Sequence, residues 1–127
     1  MQLEGQKLFN AAIRGQLEVA RGVLDEGASI EWTNDDYNGM RALHVACYHG
    51  HDEVVQLLVA SGAEVNAMDS WQRTPLHRSA ATGHVAVCHL LLASGAKTML
   101  KTHNGETALD AARRNNKVEC VALLGGR

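Results

Sequence analysis

The sequence has few aromatic residues, one proline and no long apolar run. Its aromatic residues are two tryptophans, two tyrosines and one phenylalanine among 127 residues. No stretch approaches the roughly 20 apolar residues that a membrane helix needs. The first residues also lack the basic and apolar segments of a secretory signal. We therefore expect a soluble, unexported chain with an intracellular location, cytoplasmic or nuclear.

A strong charge of either sign is also missing. Lysine and arginine total 12 and aspartate and glutamate 14, which gives a net charge of −2. The two signs are interspersed, so no surface of one sign is expected to attract nucleic acid or an anionic membrane. The one basic cluster, Arg113, Arg114 and Lys117, is explained more simply by a solvated last helix. We expect a partner that is neither nucleic acid nor membrane.

One stretch, residues 69–101, sets the pattern for the rest of the chain. Thr74 and Pro75 have the properties of an N-cap and a first helical residue. Gly83 is expected to end that helix. A second apolar-periodic segment begins near Val85 and is expected to end at Gly95, where a left-handed residue is favoured. The stretch therefore predicts two helices joined by a short turn and followed by an exposed loop.

The same frame recurs along the sequence at a period of 33 residues. Going upstream, the period aligns Leu43-His44 with Leu76-His77, Gly50-His51 with Gly83-His84, and Gly62-Ala63 with Gly95-Ala96. Going downstream, it aligns Thr74 with Thr107, Leu76 with Leu109, Val85 with Val118, and Leu90-Leu91 with Leu123-Leu124. A first copy precedes these at an offset of 35 residues, with Leu8, Gly15 and Gly27-Ala28. Four copies in one register are a specific signal of a stacked repeat architecture.

A 33-residue period with a Thr-Pro-Leu-His start is typical of ankyrin repeats, and the chain resembles that family over nearly its whole length. The resemblance implies an all-α solenoid of about four helix–turn–helix units joined by β-turn or hairpin-like loops. The predicted single domain covers residues 1–127, with a capping repeat at 1–35, repeats two and three at 36–68 and 69–101, and a closing capping repeat at 102–127. Terminal repeats need a polar outer face because each has only one neighbour.

Three positions depart from the repeat pattern. Repeat two begins with Arg41-Ala42 and lacks the threonine cap and the proline, so its first helix should depend more on its neighbours. Residues 29–41 are two residues longer than the next inter-repeat loop. That loop is either part of a binding face or a tolerated surface insertion. Arg78 replaces the more usual apolar residue of its helix, and its burial stays open.

The cysteines and histidines have a structural explanation. Cys47, Cys88 and Cys120 fall where the repeat has small or aliphatic core residues, so buried, reduced thiols are expected. His44 and Cys47 lie one helical turn apart, as do His84 and Cys88. However, no close-spaced Cys-x-x-Cys or His-x₃-His set accompanies them, and no metal or cofactor is expected.

The resemblance also implies structural residues. Thr74 and His77, and His44 in repeat two, would join one turn to the next by hydrogen bonds, and Asn66 would brace the following turn. Asn66 also resembles a site used by asparaginyl hydroxylases in animals. No serine, cysteine or carboxylate recurs at a fixed offset from His77 or His44, so a catalytic role is disfavoured and the domain is not expected to be an enzyme.

The aromatic residues provide the main functional indication. Four of the five, Trp32, Tyr37, Tyr48 and Trp71, avoid the repeating aliphatic core positions. In ankyrin-repeat proteins the turn tips and inner helices form a concave recognition groove. By position that groove would contain Tyr37, Asn38, Met40, Tyr48, His49, Ser70, Trp71, Arg73, Ala81, Thr82, His103, Asn104, Glu106, Arg114 and Asn115.

Within this set we expect Trp71, Tyr37, Tyr48 and Arg73 to contribute most, because Trp, Tyr and Arg are enriched among interface hot spots. Trp32 sits where the repeat has a small packed residue, and either tryptophan could serve only local packing.

The predicted function is therefore a monomeric, non-enzymatic module that binds another protein. One alternative is a targeting or autoregulatory segment of a larger multidomain enzyme. A catalytic or metal-dependent role of the domain itself and self-association through the groove are further alternatives.

Overall fold

The computed structural model describes residues 2–125, with Gln2 described by its backbone alone. These residues form eight α-helices and contain no strand. The helices are α1 (Gln2–Arg14), α2 (Leu17–Asp25), α3 (Ala42–His49), α4 (Asp52–Ala60), α5 (Pro75–Thr82), α6 (Val85–Ala93), α7 (Ala108–Arg114) and α8 (Val118–Leu123). The predicted all-α solenoid is confirmed. Residues 1, 126 and 127 of the predicted terminal repeats lie outside the described part.

The helices lie in two layers. In the inner layer α1, α3, α5 and α7 pack against one another in chain order, and α2, α4, α6 and α8 do so in the outer layer. Each inner helix also packs against the outer helix that follows it. Leu58 and Leu91 are fully buried in the core between the layers. Burying one such side chain stabilises the fold by about 1.5–3 kcal/mol, and each unit obtains this burial only from its neighbours.

The predicted ends of the helices in repeat three are confirmed. Thr74 adopts an extended conformation, its hydroxyl accepts from the His77 N–H, and Pro75 begins α5. Gly83 then ends α5 with a φ of 79°. Gly95 follows α6 with a φ of 97°, a conformation that non-glycine residues rarely adopt. These boundaries follow from short-range backbone chemistry.

The start of α3 lacks a side-chain cap, as its sequence predicts. Arginine has no acceptor atom, so Arg41 cannot receive a hydrogen bond from the first turn. The backbone N–H of Arg41 donates to His44 Nδ1 at 3.1 Å. Its Nε donates to the carbonyl oxygen of Glu31 at 3.2 Å and also lies 3.2 Å from the Glu31 carboxylate. This helix start is therefore held by the preceding loop and by His44.

Restoring the usual cap is expected to stabilise repeat two. Arg41→Thr combined with Ala42→Pro should raise the free energy of unfolding by roughly 1 kcal/mol, through the cap and a stiffer unfolded chain. Loss of the half-exposed Arg41–Glu31 pair offsets only part of this gain, because such pairs contribute about 0–1 kcal/mol. The denaturant midpoint measures the change. The reciprocal variant, Thr74→Arg with Pro75→Ala, should lower it, and an unchanged or lower midpoint in repeat two would contradict the expectation.

Hairpin-like loops connect the repeats and are joined at their tips. Equivalent backbone bonds close the three loops, from Asn34 N to Met40 O at 2.9 Å, Asp69 N to Arg73 O at 3.0 Å and Thr102 N to Glu106 O at 2.9 Å. Two further bonds join successive tips, from Ser70 N to Asn38 O at 2.8 Å and from His103 N to Trp71 O at 3.0 Å. The longer first loop contains a 3₁₀ turn, Asp35–Tyr37. The loops therefore form a continuous, hydrogen-bonded edge.

The three cysteines are free and buried, as expected. Burial raises the pKa of the Cys47 thiol and raises that of Cys88 to about 12. The Sγ atoms of Cys88 and Cys120 are 3.9 Å apart between the outer helices α6 and α8. Within residues 2–125 no helix has both the length and the apolar character that crossing a membrane would require.

Candidate protein-interaction surface

The loop tips and the ends of the inner helices present a row of exposed side chains. We call this row the tip surface. Its exposed members are Tyr37, Asn38, Tyr48, His49, Ser70, Trp71, His103, Asn104 and Arg114, and its partly buried members are Arg73, Thr82 and Glu106. The predicted groove residues Ala81 and Asn115 are also partly buried.

Trp71 lies at the tip of the loop between repeats two and three and is 47% exposed. The ring of His103, from the next loop, meets it edge-on with centroids 4.6 Å apart at 84°. The guanidinium of Arg73 lies 5.8 Å from the centre of the indole ring. Contacts of this kind hold an aromatic ring in one orientation while leaving much of its surface open.

The side chain of Asp69 holds this loop in its conformation. Asp69 was not among the residues predicted from the sequence. Its carboxylate is buried and accepts hydrogen bonds from the backbone N–H groups of Trp71 and Arg73, both at 2.9 Å. The Arg73 Nε donates to the other carboxylate oxygen at 2.7 Å. An aspartate whose side chain bonds its own backbone two residues on is a common turn device. The Asp-Ser-Trp-Gln-Arg segment contained that signal.

A second aromatic contact links repeats two and three. Tyr48, at the end of α3, is 38% exposed, and the Arg78 guanidinium lies 4.4 Å from its ring centroid. Its ring also meets that of His49 edge-on at 5.1 Å. Partial burial lowers the pKa of His49, and the nearby charges of His51, His84 and Arg78 lower it further. Arg78 was missing from the predicted groove because its position in the repeat usually holds an apolar residue.

The aromatic residues near the first loop differ in exposure. Tyr37 is 46% exposed, although one side of its ring packs on the buried Phe9 at 5.0 Å and 63°. Trp32 also packs on Phe9, with ring centroids 6.0 Å apart at 74°, and is only partly exposed. A Cβ atom at Gly5 would lie 2.3 Å from Trp32 Cγ, so the helix α1 passes directly against the indole. Trp32 therefore serves local packing.

Met40 corrects the predicted groove. Its side chain is 6% exposed and belongs to the hydrophobic core, so it offers no surface to a partner. The backbone bridge between Asn34 and Met40 closes the loop just before α3, and the apolar side chain then packs inward. An apolar residue at the base of the loop gains more from burial than from exposure.

Some polar side chains in and beside the tip surface form hydrogen bonds within the chain. Arg114 forms two bonds to the Glu106 carboxylate, from Nε at 2.7 Å and from Nη2 at 3.0 Å. These bonds lower the pKa of Glu106. The Thr82 hydroxyl donates to the Arg78 carbonyl oxygen at 2.8 Å. Asn115 similarly donates to the Ala111 carbonyl oxygen at 2.8 Å.

The residues given a structural role connect successive loops. His44 Nε2 lies 3.0 Å from the carbonyl oxygens of both Ala67 and Arg73, and His77 Nε2 lies 2.9 Å from that of Glu106. Burial lowers the pKa of His44 to about 4, although these carbonyl contacts favour its charged form. Burial lowers the pKa of His77 as well. Both imidazoles are therefore neutral at physiological pH and act as fixed hydrogen-bonding groups.

Asn66 joins the end of repeat two to the corresponding segment of repeat three. Its Nδ2 donates to the Gly95 carbonyl oxygen at 3.2 Å, and its Oδ1 accepts from the Lys97 N–H at 2.8 Å. Within the described part of the chain, no three histidine, cysteine or acidic side chains come together in a way that could hold a metal ion.

Comparison with known proteins agrees with this architecture. A family model described as "Ankyrin repeats (many copies)" matches residues 8–59 and again residues 43–92. The E3 ubiquitin-protein ligase XBAT32 of Arabidopsis thaliana is 36% identical over 121 residues, which cover 94% of this chain and 24% of that protein. The ankyrin repeat and KH domain-containing protein mask-1 of Caenorhabditis elegans is 31% identical over 126 residues, 92% of this chain and 5% of that protein.

A mammalian protein is also similar over a shorter range. The RelA-associated inhibitor of Mus musculus is 36% identical over 74 residues, which cover 58% of this chain and 9% of that protein. The chain therefore spans at most 24% of the length of these three relatives.

Proposed function

The chain belongs to the ankyrin-repeat family of protein-interaction modules, and from that premise we propose that it binds a partner protein non-catalytically through the tip surface. Stacked repeats with joined loops form a preorganised surface, so little conformational entropy is lost when a partner binds. The proposed contact residues are those of the tip surface. Met40 is excluded because it is buried.

The exposure of Trp71 supports this proposal most strongly. A large aromatic side chain at the middle of the row keeps 47% of its surface open. Asp69 fixes its backbone, and His103 fixes its ring. Tryptophan fixed in this way has the properties of an interface hot spot, because it adds apolar contact without a large ordering cost. Tyr37 and Tyr48 would extend the contact on the side of repeats one and two.

Affinity capture tests the proposal. The wild-type chain should retain a stoichiometric partner that the Trp71→Ala chain loses. Val118→Ala is a matched control, because Val118 is 75% exposed but belongs to the outer helix α8. Loss of the partner in the control and not in Trp71→Ala would place binding elsewhere on the molecule.

A second candidate function is a targeting or autoregulatory segment of a larger multidomain enzyme. It is favoured by one observation, that a ubiquitin ligase contains a segment similar to almost the whole chain. A catalytic domain encoded in the same reading frame as these repeats would support it. Binding through the tip surface is compatible with either arrangement.

Three further expectations belong to the same proposal. The module acts as a monomer, which light scattering over a concentration series tests. Its buried free thiols fit a reducing compartment, cytoplasm or nucleus. Asn66 is a candidate for hydroxylation, which peptide mass spectrometry would detect as one added oxygen atom.

A further inference from the structure

Three arginines lie along the tip surface and the inner helices behind it, and they differ in how their charge is balanced. The Arg73 Nε lies 2.7 Å from the buried carboxylate of Asp69. The Arg114 Nε lies 2.7 Å from the carboxylate of Glu106. Arg78 has no carboxylate partner among the described residues. The first two arginines form ion pairs within the chain, whereas Arg78 forms none, and only the longer-range charge of Asp69 favours its cation.

The position of Arg78 makes this unusual. It lies within α5, and the residues one repeat before and after it, Val45 and Ala111, are buried and apolar. An aliphatic side chain would fit the stack at this position. The arginine is instead partly buried, with its guanidinium over the ring of Tyr48. Burial is the main cause, and the charge of Arg73 the second cause, of a lowered pKa of Arg78. The surroundings therefore disfavour the charged guanidinium.

Two guanidinium nitrogens in this region have no acceptor. They are Arg78 Nε and Arg73 Nη2, and both are buried and without a hydrogen-bond partner among the described residues. A buried donor without an acceptor is destabilising, so the guanidinium groups are not fully satisfied within the chain. Since Arg78 Nε is itself buried, a partner would reach this guanidinium through its terminal nitrogens. The neighbouring rings of Tyr48 and Trp71 provide apolar contact beside these donors.

We propose that Arg78 binds the carboxylate of an aspartate or glutamate in an acidic segment of the partner protein, with Tyr48 and Trp71 on either side of that segment. This inference rests on the proposed function, because it specifies the chemistry of the same surface. Arginine pairs with carboxylates through two parallel hydrogen bonds, and partial burial strengthens the pair. A singly charged carboxylate matches one unbalanced arginine, whereas a phosphate group would bring a second negative charge that the paired Arg73 and Arg114 do not balance.

Selection from a random peptide library tests this inference with defined probes. Peptides selected on the wild-type chain should share an aspartate or glutamate at one position relative to an apolar residue. Changing that residue to the matching amide should weaken binding to the wild-type chain about ten-fold or more, the typical loss for a hydrogen-bonded charge pair. The same change should alter binding to Arg78→Leu less than about two-fold. Arg78→Lys keeps the charge without the planar fork and should show an intermediate effect.

The outcomes distinguish the role of Arg78 in binding a carboxylate from the proposed binding of a partner protein through the tip surface. Arg78→Leu restores the residue type that the repeat usually has, and circular dichroism of the variant checks its fold. Peptides that depend on Trp71 but contain no shared acidic residue would overturn the inference and leave the proposed function standing. A library that yields no peptide dependent on Trp71 would overturn both. A peptide carrying phosphoserine in place of the acidic residue should bind no better, and markedly tighter binding would identify a phosphopeptide ligand and overturn the carboxylate assignment.

Discussion

Replacing Trp71 by alanine is expected to weaken binding of the partner protein by about 2 kcal/mol or more, which is roughly a thirty-fold rise in Kd. The indole is 47% exposed and held against His103, so its open surface is available to a partner without reorganisation. The free energy of unfolding should fall by no more than about 1 kcal/mol. The variant loses the edge-to-face contact with His103 and the distant contact with the Arg73 guanidinium, but no side chain of the hydrophobic core. Calorimetric titration with the captured partner and denaturant unfolding measure the two quantities.

The comparison of affinity with stability decides how this result is interpreted. Val118→Ala removes an exposed apolar side chain from the outer helix and should leave both the affinity and the stability nearly unchanged. A Trp71→Ala chain that is clearly less stable but binds with unchanged affinity would show that the indole only supports its own loop. His103→Ala should lie between the two variants, because it removes the group that orients the indole but leaves the indole itself.

Acidification is expected to destabilise the stack, with His44 as the largest identified contributor. Its pKa is about 6.5 in an unfolded chain and about 4 when buried in the fold. Between these values the unfolded chain binds a proton that the folded chain does not. The stabilising effect is therefore complete above pH 6.5 and is lost as the pH falls towards 4. The difference between the two pKa values corresponds to ~3 kcal/mol at pH 4.

His77 changes the stability in the same direction, because burial lowers its pKa as well. Asp69 and Arg41 act on His44 with opposite signs, the carboxylate favouring and the guanidinium disfavouring the charged imidazole. The test is the free energy of unfolding, measured in denaturant at pH 7, 5.5 and 4, which is about the range of histidine titration. As the pH falls, this free energy should decrease more steeply for the wild type than for His44→Gln. The glutamine variant also separates His44 from carboxylates that titrate in the same range.

If the His44→Gln variant does not fold, an NMR titration of the wild-type chain tests the pKa of His44 directly. The His44 ring signals in the NMR spectrum of the wild-type chain should not shift until the pH approaches 4. A His44 signal that titrates near pH 6.5 in the folded chain would contradict the expectation. The same result would imply that the His44 ring is not buried in solution, because burial is the main cause of its low pKa.

Much of the fold was predictable because its signals are local. Thr74 and Pro75 start a helix and Gly83 ends it, and each acts on backbone groups within a few residues. Repetition of these signals at a fixed period then implied the stack, since one such unit cannot cover its apolar face alone. The same reasoning placed Cys47 and Cys88 in the core, where they are found.

The site was less predictable because its contacts join different repeats. Trp32 and Trp71 both occur in loops, yet one packs on Phe9 of the first helix and the other is held at the tip by His103. Met40 is apolar and lies in a loop, so its sequence position was compatible with either a buried or an exposed side chain. Only the packing of α3 against its neighbours placed it in the core.

The sequence by itself determined the repeat, its helix boundaries and the side chains available at the loop tips, because these depend on residue type and on neighbours within one turn. The tertiary structure decided which of those side chains remain exposed, and that Arg78 has no ion-pair partner among the described residues. Tyr48 and Arg78 are 30 residues apart in the chain, and their rings and charges meet only because adjacent repeats stack in register. Packing and electrostatics between repeats depend on the distances in space between residues that are far apart in the chain. No short stretch of sequence specifies those distances.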